Sequence, residues 1–347
     1  MGAPAPRVTP LGEALARRIA AEGPIGVADL MAECLWNPAH GAYAAADPLG
    51  ASGHFVTAPE VSQMFGELLG LALAQAWLDQ GRPRGVLAEL GPGRGTLMAD
   101  ALRATAAVPG FHDALALHLV EASAPLRAAA GRRLPGATWH ESAATLPEAP
   151  LFLVANEFLD ALPVRQWVRS GDVWAERVVG LRDEALAWGL APPVPVPALA
   201  HRLADTKDGD VVETAPGLPA VAAEVGRRVA LGGAALVVDY GDWRSQGDTL
   251  QALSRHRRAD PLEAPGQADL TAHVDFEALA LAAAPARHTR LSTQGAFLER
   301  LGIEARAARL GQQAERARLT SPAGMGTLFK VMGLYPPGGP VPPGLVA

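Results

Sequence analysis

Val86–Thr96, VLAELGPGRGT, joins an apolar run to an acid and then to three glycines in GxGxG spacing. The pattern predicts a strand, a tight turn and the start of a helix. Gly91, Gly93 and Gly95, with Pro92 and Thr96 completing the turn, let the backbone bend sharply and approach a ligand, while the helix start offers free N–H groups. The dinucleotide fingerprint GxGxxG needs glycine at position 96, where Thr96 stands, which counts against NAD. Taken alone, GxGxG equally fits a plain glycine turn.

The pattern resembles the first motif of the Rossmann-like, S-adenosylmethionine-dependent methyltransferases, and that resemblance implies a turn holding a methionine carboxylate and amino group. Glu89, at the strand end, suits the cationic amine. A second strand should bring a carboxylate to the ribose hydroxyls about 20–30 residues later. Glu121, closing LHLVE, arrives on time; the other reading of it is a solvated strand end. His140, Glu141 and Ser142 follow the next strand as candidates for the adenine edge.

With 347 residues, 49% of them hydrophobic, the chain can fill a sizeable interior. Its 30 basic and 36 acidic residues give a net charge of −6, so no basic excess points to nucleic acid or an anionic membrane, and a cationic substrate fits better. Cys34, the single cysteine, excludes an intrachain disulfide and a cysteine metal cluster, and falls on an apolar helix face. No run is long and apolar enough for a membrane span, and the start lacks a signal-peptide pattern, so a cytoplasmic location is the default expectation.

Leu11, Leu15 and Ile19 predict a first helix after Thr9-Pro10, and Val27, Leu30, Met31, Cys34 and Leu35 a second. Ala39 to His54 reads as a loop. The capping-box pattern Thr57-Ala58-Pro59-Glu60 opens a third helix reaching Trp77. This helical N-terminal layer, residues 1–82, precedes an α/β core over 83–335. Leu115–Glu121, a helix at Pro125–Leu134, Thr138–His140 and Leu151–Glu157 alternate as a parallel sheet requires. Antiparallel strands are expected at Val164–Trp174 and Glu176–Trp188, then an extended connector at Ala191–Ala198. Helix Ala220–Ala230, strand Ala235–Tyr240, helices over Val274–Ala284 and Thr293–Glu315, and strand Leu328–Leu334 complete the core. Residues 164–215 and 242–270 read as insertions, the first a substrate-side cover and Trp243–Asp269 loop-like. The tail 336–347, with PPGGPVPPG, reads as flexible.

Asn156-Glu157-Phe158-Leu159-Asp160 follows an apolar strand and falls at the carboxyl edge, where open α/β sheets place ligands. Two acids and an amide converge there. A helix start capped by Asn156, with Glu157 and Asp160 matched to its dipole, would give the same pattern. The nine histidines make no metal-ligand spacing, and no GxSxG elbow offers a nucleophile.

The order of motifs resembles the MidA-type methyltransferases, a family whose mitochondrial member is a complex I assembly factor that methylates a protein arginine. The match runs through NPAHGAY (Asn37–Tyr43), GHFVTAPEVSQMFGELLG (Gly53–Gly70), ELGPGRGTL (Glu89–Leu97), LVEAS (Leu119–Ser123), NEFLDALPV (Asn156–Val164), VVDYG (Val237–Gly241) and MGTLFKVM (Met325–Met332). It departs at His54, where the family has an acid. The resemblance implies a class I methyltransferase fold, S-adenosyl-L-methionine as cofactor and symmetric dimethylation of arginine in a protein substrate, a complex I subunit being one candidate. It implies a mitochondrial matrix location for a eukaryotic chain and leaves a homodimer open. Glu157, Asp160 and Asn156 would then orient the guanidinium, with Glu60 or His273 taking the released proton. For Glu60 the capping box is the competing reading. A methyltransferase for small molecules or other residues, and a non-catalytic assembly factor on the same fold, are the rival functions.

Overall fold

In the computed structural model the described residues are 9–45, 57–254 and 257–347, so the departure at His54 lies outside them. The chain divides into two compact units, Met1–Phe55, Ala161–Gly217 and Ser245–His273 forming one, and Val56–Asp160, Leu218–Arg244 and Val274–Ala347 the other. The expected N-terminal layer is therefore shared between two units, and the stretches read as insertions belong with its first two helices.

The glycine turn lies in the second unit. Its strands are β1 (Gly85–Leu90), β2 (Leu115–Val120), β3 (Thr138–His140), β4 (Leu151–Asn156), β5 (Gly233–Asp242), β6 (Arg287–His288) and β7 (Phe329–Tyr335). They stand in the order β3-β2-β1-β4-β5-β7-β6, with short strands at Val274–Asp275 and Ser292–Thr293 added. β1 to β5 run parallel; β7 runs antiparallel to β5 and β6. This is the Rossmann-like class I methyltransferase arrangement. β4 and most of β1 and β5 are buried, which is why these strands read as apolar runs without alternation. Strand order reverses between β1 and β4, and a crevice at their carboxyl ends follows from that topology.

The third predicted helix is two. α1 (Ala58–Val61) ends at Ser62, whose backbone is extended, and α2 (Gln63–Asp79) begins after it. The Ser62 hydroxyl accepts the Met64 N–H (3.1 Å) and donates to Gln312 (2.8 Å). α2 lies close against α3 (Thr96–Thr105): a Cβ at Gly66 would stand 2.7 Å from the Leu97 carbonyl oxygen, and one at Gly70 would stand 2.7 Å from the Ala101 Cα. Phe65, Leu69, Leu87, Phe152, Val154 and Leu236 belong to the core on this face. α4 (Ala124–Gly131), α5 (Leu218–Val229) and α6 (Phe276–Ala282) follow the sequence reading closely.

The helix expected over Thr293–Glu315 is three: α7 (Gln294–Arg300), α8 (Ile303–Leu310) and α9 (Gln313–Thr320), interrupted by Gly302 and Gly311 in left-handed backbone. The proline-rich tail is seated rather than loose. Val346 C=O accepts the Arg290 N–H (2.8 Å) and Gly344 C=O accepts from Arg300 (3.0 Å). Leu345 and Pro342 occupy the space left by Gly333, where a Cβ would fall 2.7 Å from Leu345.

In the first unit, helices Pro10–Glu22 and Val27–Trp36 join a sheet built from Ile25–Gly26, Val173–Arg182, Arg165–Ser170 and Val211–Thr214, with Ala185–Leu190 paired to Val173–Arg182. The turn at Gly171-Asp172 falls where expected. A second turn at Asp183-Glu184, both with positive φ, divides the expected strand Glu176–Trp188 into two. Trp243–Asp269 is not simply loop: Gln251–Ser254 pairs with Arg257–Ala259 and with Asp269–Thr271. Cys34 is buried among Leu30, Met31 and Leu35, and burial pushes its thiol up to about 11. No helix among the described residues is long and apolar enough to cross a membrane.

Candidate cofactor and active site

β1 delivers the chain to a turn in which Gly91, Gly93 and Gly95 all have positive φ, at 65°, 53° and 76°. Only glycine takes three such positions at little cost. The Gly91 N–H donates to Val120 C=O on β2 (2.9 Å), and the Gly95 N–H donates to Pro92 C=O (2.7 Å). A side chain at Gly91 would meet the Phe158 ring at 2.8 Å, and one at Gly95 would meet Leu134 at 2.9 Å. Pro92 is buried and Thr96 opens α3.

Glu89 is 3% exposed. One side of its carboxyl accepts the Met98 N–H from the first turn of α3, while Oε2 is buried with no hydrogen-bond partner among the described residues. Burial, with Glu121 adding repulsion, pushes its pKa up to about 8. Such a group at the edge of the turn fits a ligand bearing a cationic donor. Glu121 is also buried rather than solvated. It accepts the Ser123 N–H (2.8 Å) and those of Gly93 and Ala122, so the acid ending β2 is tied to the glycine turn; burial raises its pKa too. Ser142 accepts the Ala144 N–H (3.2 Å), a cap for the short turn that follows β3. His140 joins His118 (2.8 Å) and Thr145 (2.8 Å), and burial lowers the pKa of both histidines.

After β4, Glu157 takes φ 50°, unusual for a residue with a side chain. Its Oε1 accepts from the Ala58 N–H (3.2 Å) and from the Asn156 amide (3.2 Å). The stretch after it is organised by Asp239 of β5, fully buried, whose Oδ2 accepts the N–H groups of Phe158 (3.2 Å), Leu159 (2.9 Å) and Asp160 (3.3 Å) while Oδ1 accepts that of Tyr240 (2.9 Å). Asp160 is buried next to this knot. Sequence reasoning passed over Asp239 although it stands inside the VVDYG motif. An acid within an apolar strand was the available signal.

Glu60 departs from the capping-box reading: Thr57 makes no side-chain cap bond, and Glu60 accepts instead from the Thr96 hydroxyl (2.7 Å), which in turn accepts from Arg133. The structure thus brings Glu60 and Thr96 together by direct hydrogen bonding, and likewise Glu121 with Gly93 and Asn156 with Glu157. His273 belongs to the first unit, where its backbone N–H donates to Thr249 (2.8 Å).

Comparison with known proteins agrees with this geometry. Residues 68–295 match the family profile of S-adenosyl-L-methionine-dependent methyltransferases. The chain is 37% identical over 331 residues to the human protein arginine methyltransferase NDUFAF7, mitochondrial, covering 86% of this chain and 75% of that protein. It is 34% identical to the Drosophila melanogaster homolog, over 94% and 85% of the two chains. A Burkholderia thailandensis protein crystallised with S-adenosyl-homocysteine superposes with a TM-score of 0.80 at 34% identity, over 96% of this chain and 95% of that one. S-adenosyl-L-methionine is accordingly the cofactor, and the chain belongs to the MidA-type family of class I S-adenosylmethionine-dependent methyltransferases.

Proposed function

We propose that the chain methylates arginine in a protein substrate, with symmetric dimethylation as the family precedent and a respiratory complex I subunit as the partner class. The observation that carries this is Glu157, held in left-handed backbone directly after β4. Strain of this kind, about 1–3 kcal/mol, persists where surrounding contacts enforce it and clusters at functional positions. The arginine methyltransferase names of the relatives support the acceptor.

The bound cofactor supplies an electrophilic methyl group on a sulfonium centre. The chain's own residues hold and align. The glycine turn with Glu89 and Glu121 would seat the cofactor, and Ser142 would border the adenine. Glu157 and Asp160 would pair with the guanidinium, whose positive charge and planar donor fork suit carboxylates. Alignment of the reacting atoms and exclusion of water account for most of the rate in such a transfer. Glu60 would take the proton that the methylated nitrogen sheds, its link to Thr96 keeping it beside the turn.

Glu157→Gln is expected to bind S-adenosyl-homocysteine within a few-fold of the parent by calorimetry while losing methyl transfer by about 100-fold or more. Undiminished turnover would remove Glu157 from the reaction. Incubation with labelled S-adenosyl-L-methionine and cell extract should place label on arginine in one polypeptide. Label in small molecules, on another residue type, or nowhere would favour the rival functions.

A further inference from the structure

At the carboxyl edge β5 runs past β4. The last pairing between them is Val238 opposite Asn156, and Asp239 to Asp242 continue beyond it. Alternation along the strand puts Tyr240, two residues after Val238, on the face of the sheet that carries Asn156, and sends Asp239 to the other face. The same alternation would send Glu157 after Asp239. Its left-handed backbone turns it back instead: Oε1 meets the Asn156 amide (3.2 Å), so the carboxyl and the Tyr240 ring rise from one face of neighbouring strands. Such strands lie about 4.8 Å apart.

The ring is fixed in place. It packs on Phe329 of β7, the residue opposite it in the antiparallel register, with ring centroids 4.2 Å apart and planes at 32°. Phe329 is part of the core, whereas Tyr240 is only half-buried. The Tyr240 N–H donates to Oδ1 of Asp239, the carboxylate whose Oδ2 holds the segment after Glu157, so ring and acid share one support. A backed aromatic ring beside a carboxylate suits a flat cation. A guanidinium lays its plane on an aromatic face while its edge takes an acid; an ammonium is compact, strongly hydrated and has no plane to lay. Resting on the arginine reading above, we propose that Tyr240 is the wall on which the acceptor guanidinium stacks, and that it selects arginine over lysine. Glu157 then takes the edge of the same group.

The test follows labelling of cell extract by the full chain and labelled S-adenosyl-L-methionine, with hydrolysis of the product to identify the methylated residue. N-acetyl-arginine amide and N-acetyl-lysine amide serve as competitors. The parent protein should label arginine, and the arginine compound should inhibit at about tenfold lower concentration than the lysine compound. Tyr240→Leu should erase most of that preference and raise the half-saturating extract concentration about tenfold. Its plateau rate and its affinity for S-adenosyl-homocysteine should stay within about twofold, because stacking that is the same before and during transfer acts on acceptor binding alone. Tyr240→Phe keeps the ring face and should behave as the parent. If Tyr240→Leu does not fold, Tyr240→Met takes its place. A Tyr240→Leu protein with the parent's preference and half-saturation overturns the proposal while arginine labelling stands. So does Tyr240→Phe impaired as badly as Tyr240→Leu, which would give the role to the hydroxyl, or Tyr240→Leu losing plateau rate and cofactor affinity instead, which would make the ring a packing element of the turn. Label on a residue other than arginine in the parent protein overturns the acceptor reading and this proposal with it.

Discussion

A carboxylate buried completely in a strand must find donors nearby or give up its charge, and Asp239 finds four of them in the backbone. Three are successive N–H groups of the segment that begins immediately after Glu157. The turn that carries the proposed acceptor-binding acid is thus held from beneath by β5, and Phe158 extends the same hold to Gly91. Asp239→Asn would set an amide NH2 against backbone donors on one side or the other. We expect a loss of about 2 kcal/mol in urea unfolding. Hydrogen exchange should show Phe158, Leu159 and Asp160 opening while the amides of β5 stay protected; equal protection in parent and variant would mean the bonds contribute little. This residue was hidden in the sequence because its partners lie some eighty positions away and are backbone groups, which leave no trace in side-chain patterns. Glu89, Glu121 and the three glycines were legible for the opposite reason: each does its work beside a strand end that the apolar runs already mark.

At the scale of elements, local chemistry was readable wherever it was decided locally. The hairpin around Gly171, the caps before the first helix and α4, and the central strands all follow from residues within a few positions. The break at Ser62 does not, since its hydroxyl bonds to Gln312, far along the chain. Nor does the small sheet at 251–271, whose strands of three or four residues are too short to show a period. The GELLG segment, read as helix from its apolar residues, has a further meaning in its glycines: Gly66 and Gly70 let α2 meet α3 at backbone distance, and α3 is the helix that starts at the cofactor turn. Gly70→Val would drive a branched side chain into Ala101. Overpacking of this kind costs about 1–3 kcal/mol, so the variant should melt several degrees lower. Because α3 shifts with it, S-adenosyl-homocysteine should also bind more weakly; unchanged melting and affinity would show that the two helices part without consequence.

Over the whole molecule the buried acids without a cationic partner share a direction, whereas at Glu67 burial is outweighed by Arg306 and Arg103, which hold its carboxyl below the ordinary value. Burial lifts Glu89 to about 8, Asp239 to about 7 and Asp269 to about 6, the last despite a hydrogen bond from Tyr43. Each folded value lies above that of the same side chain in an unfolded chain, about 4. Between those limits the folded state therefore holds more protons than the unfolded one, and stability falls as pH rises. The favourable contribution is complete below about pH 4 and is lost progressively as pH passes through 6, 7 and 8. The protein without cofactor should accordingly lose about 2 kcal/mol or more of stability between pH 5.5 and 8, measured as a falling melting temperature in matched ionic strength. Glu89→Gln removes one of these titrations and should flatten the upper part of that curve. Saturation with S-adenosyl-homocysteine should flatten the same part in the parent protein, because a cation beside Glu89 favours its ionised form. The gain in melting temperature on adding this ligand should then be larger at pH 8 than at pH 6. A gain that is the same at both would mean that Glu89 does not change charge when the site fills, and a stability that rises above about pH 6.5, where His118 and His140, lowered by burial, no longer titrate, would mean that the buried acids are already ionised in the empty protein.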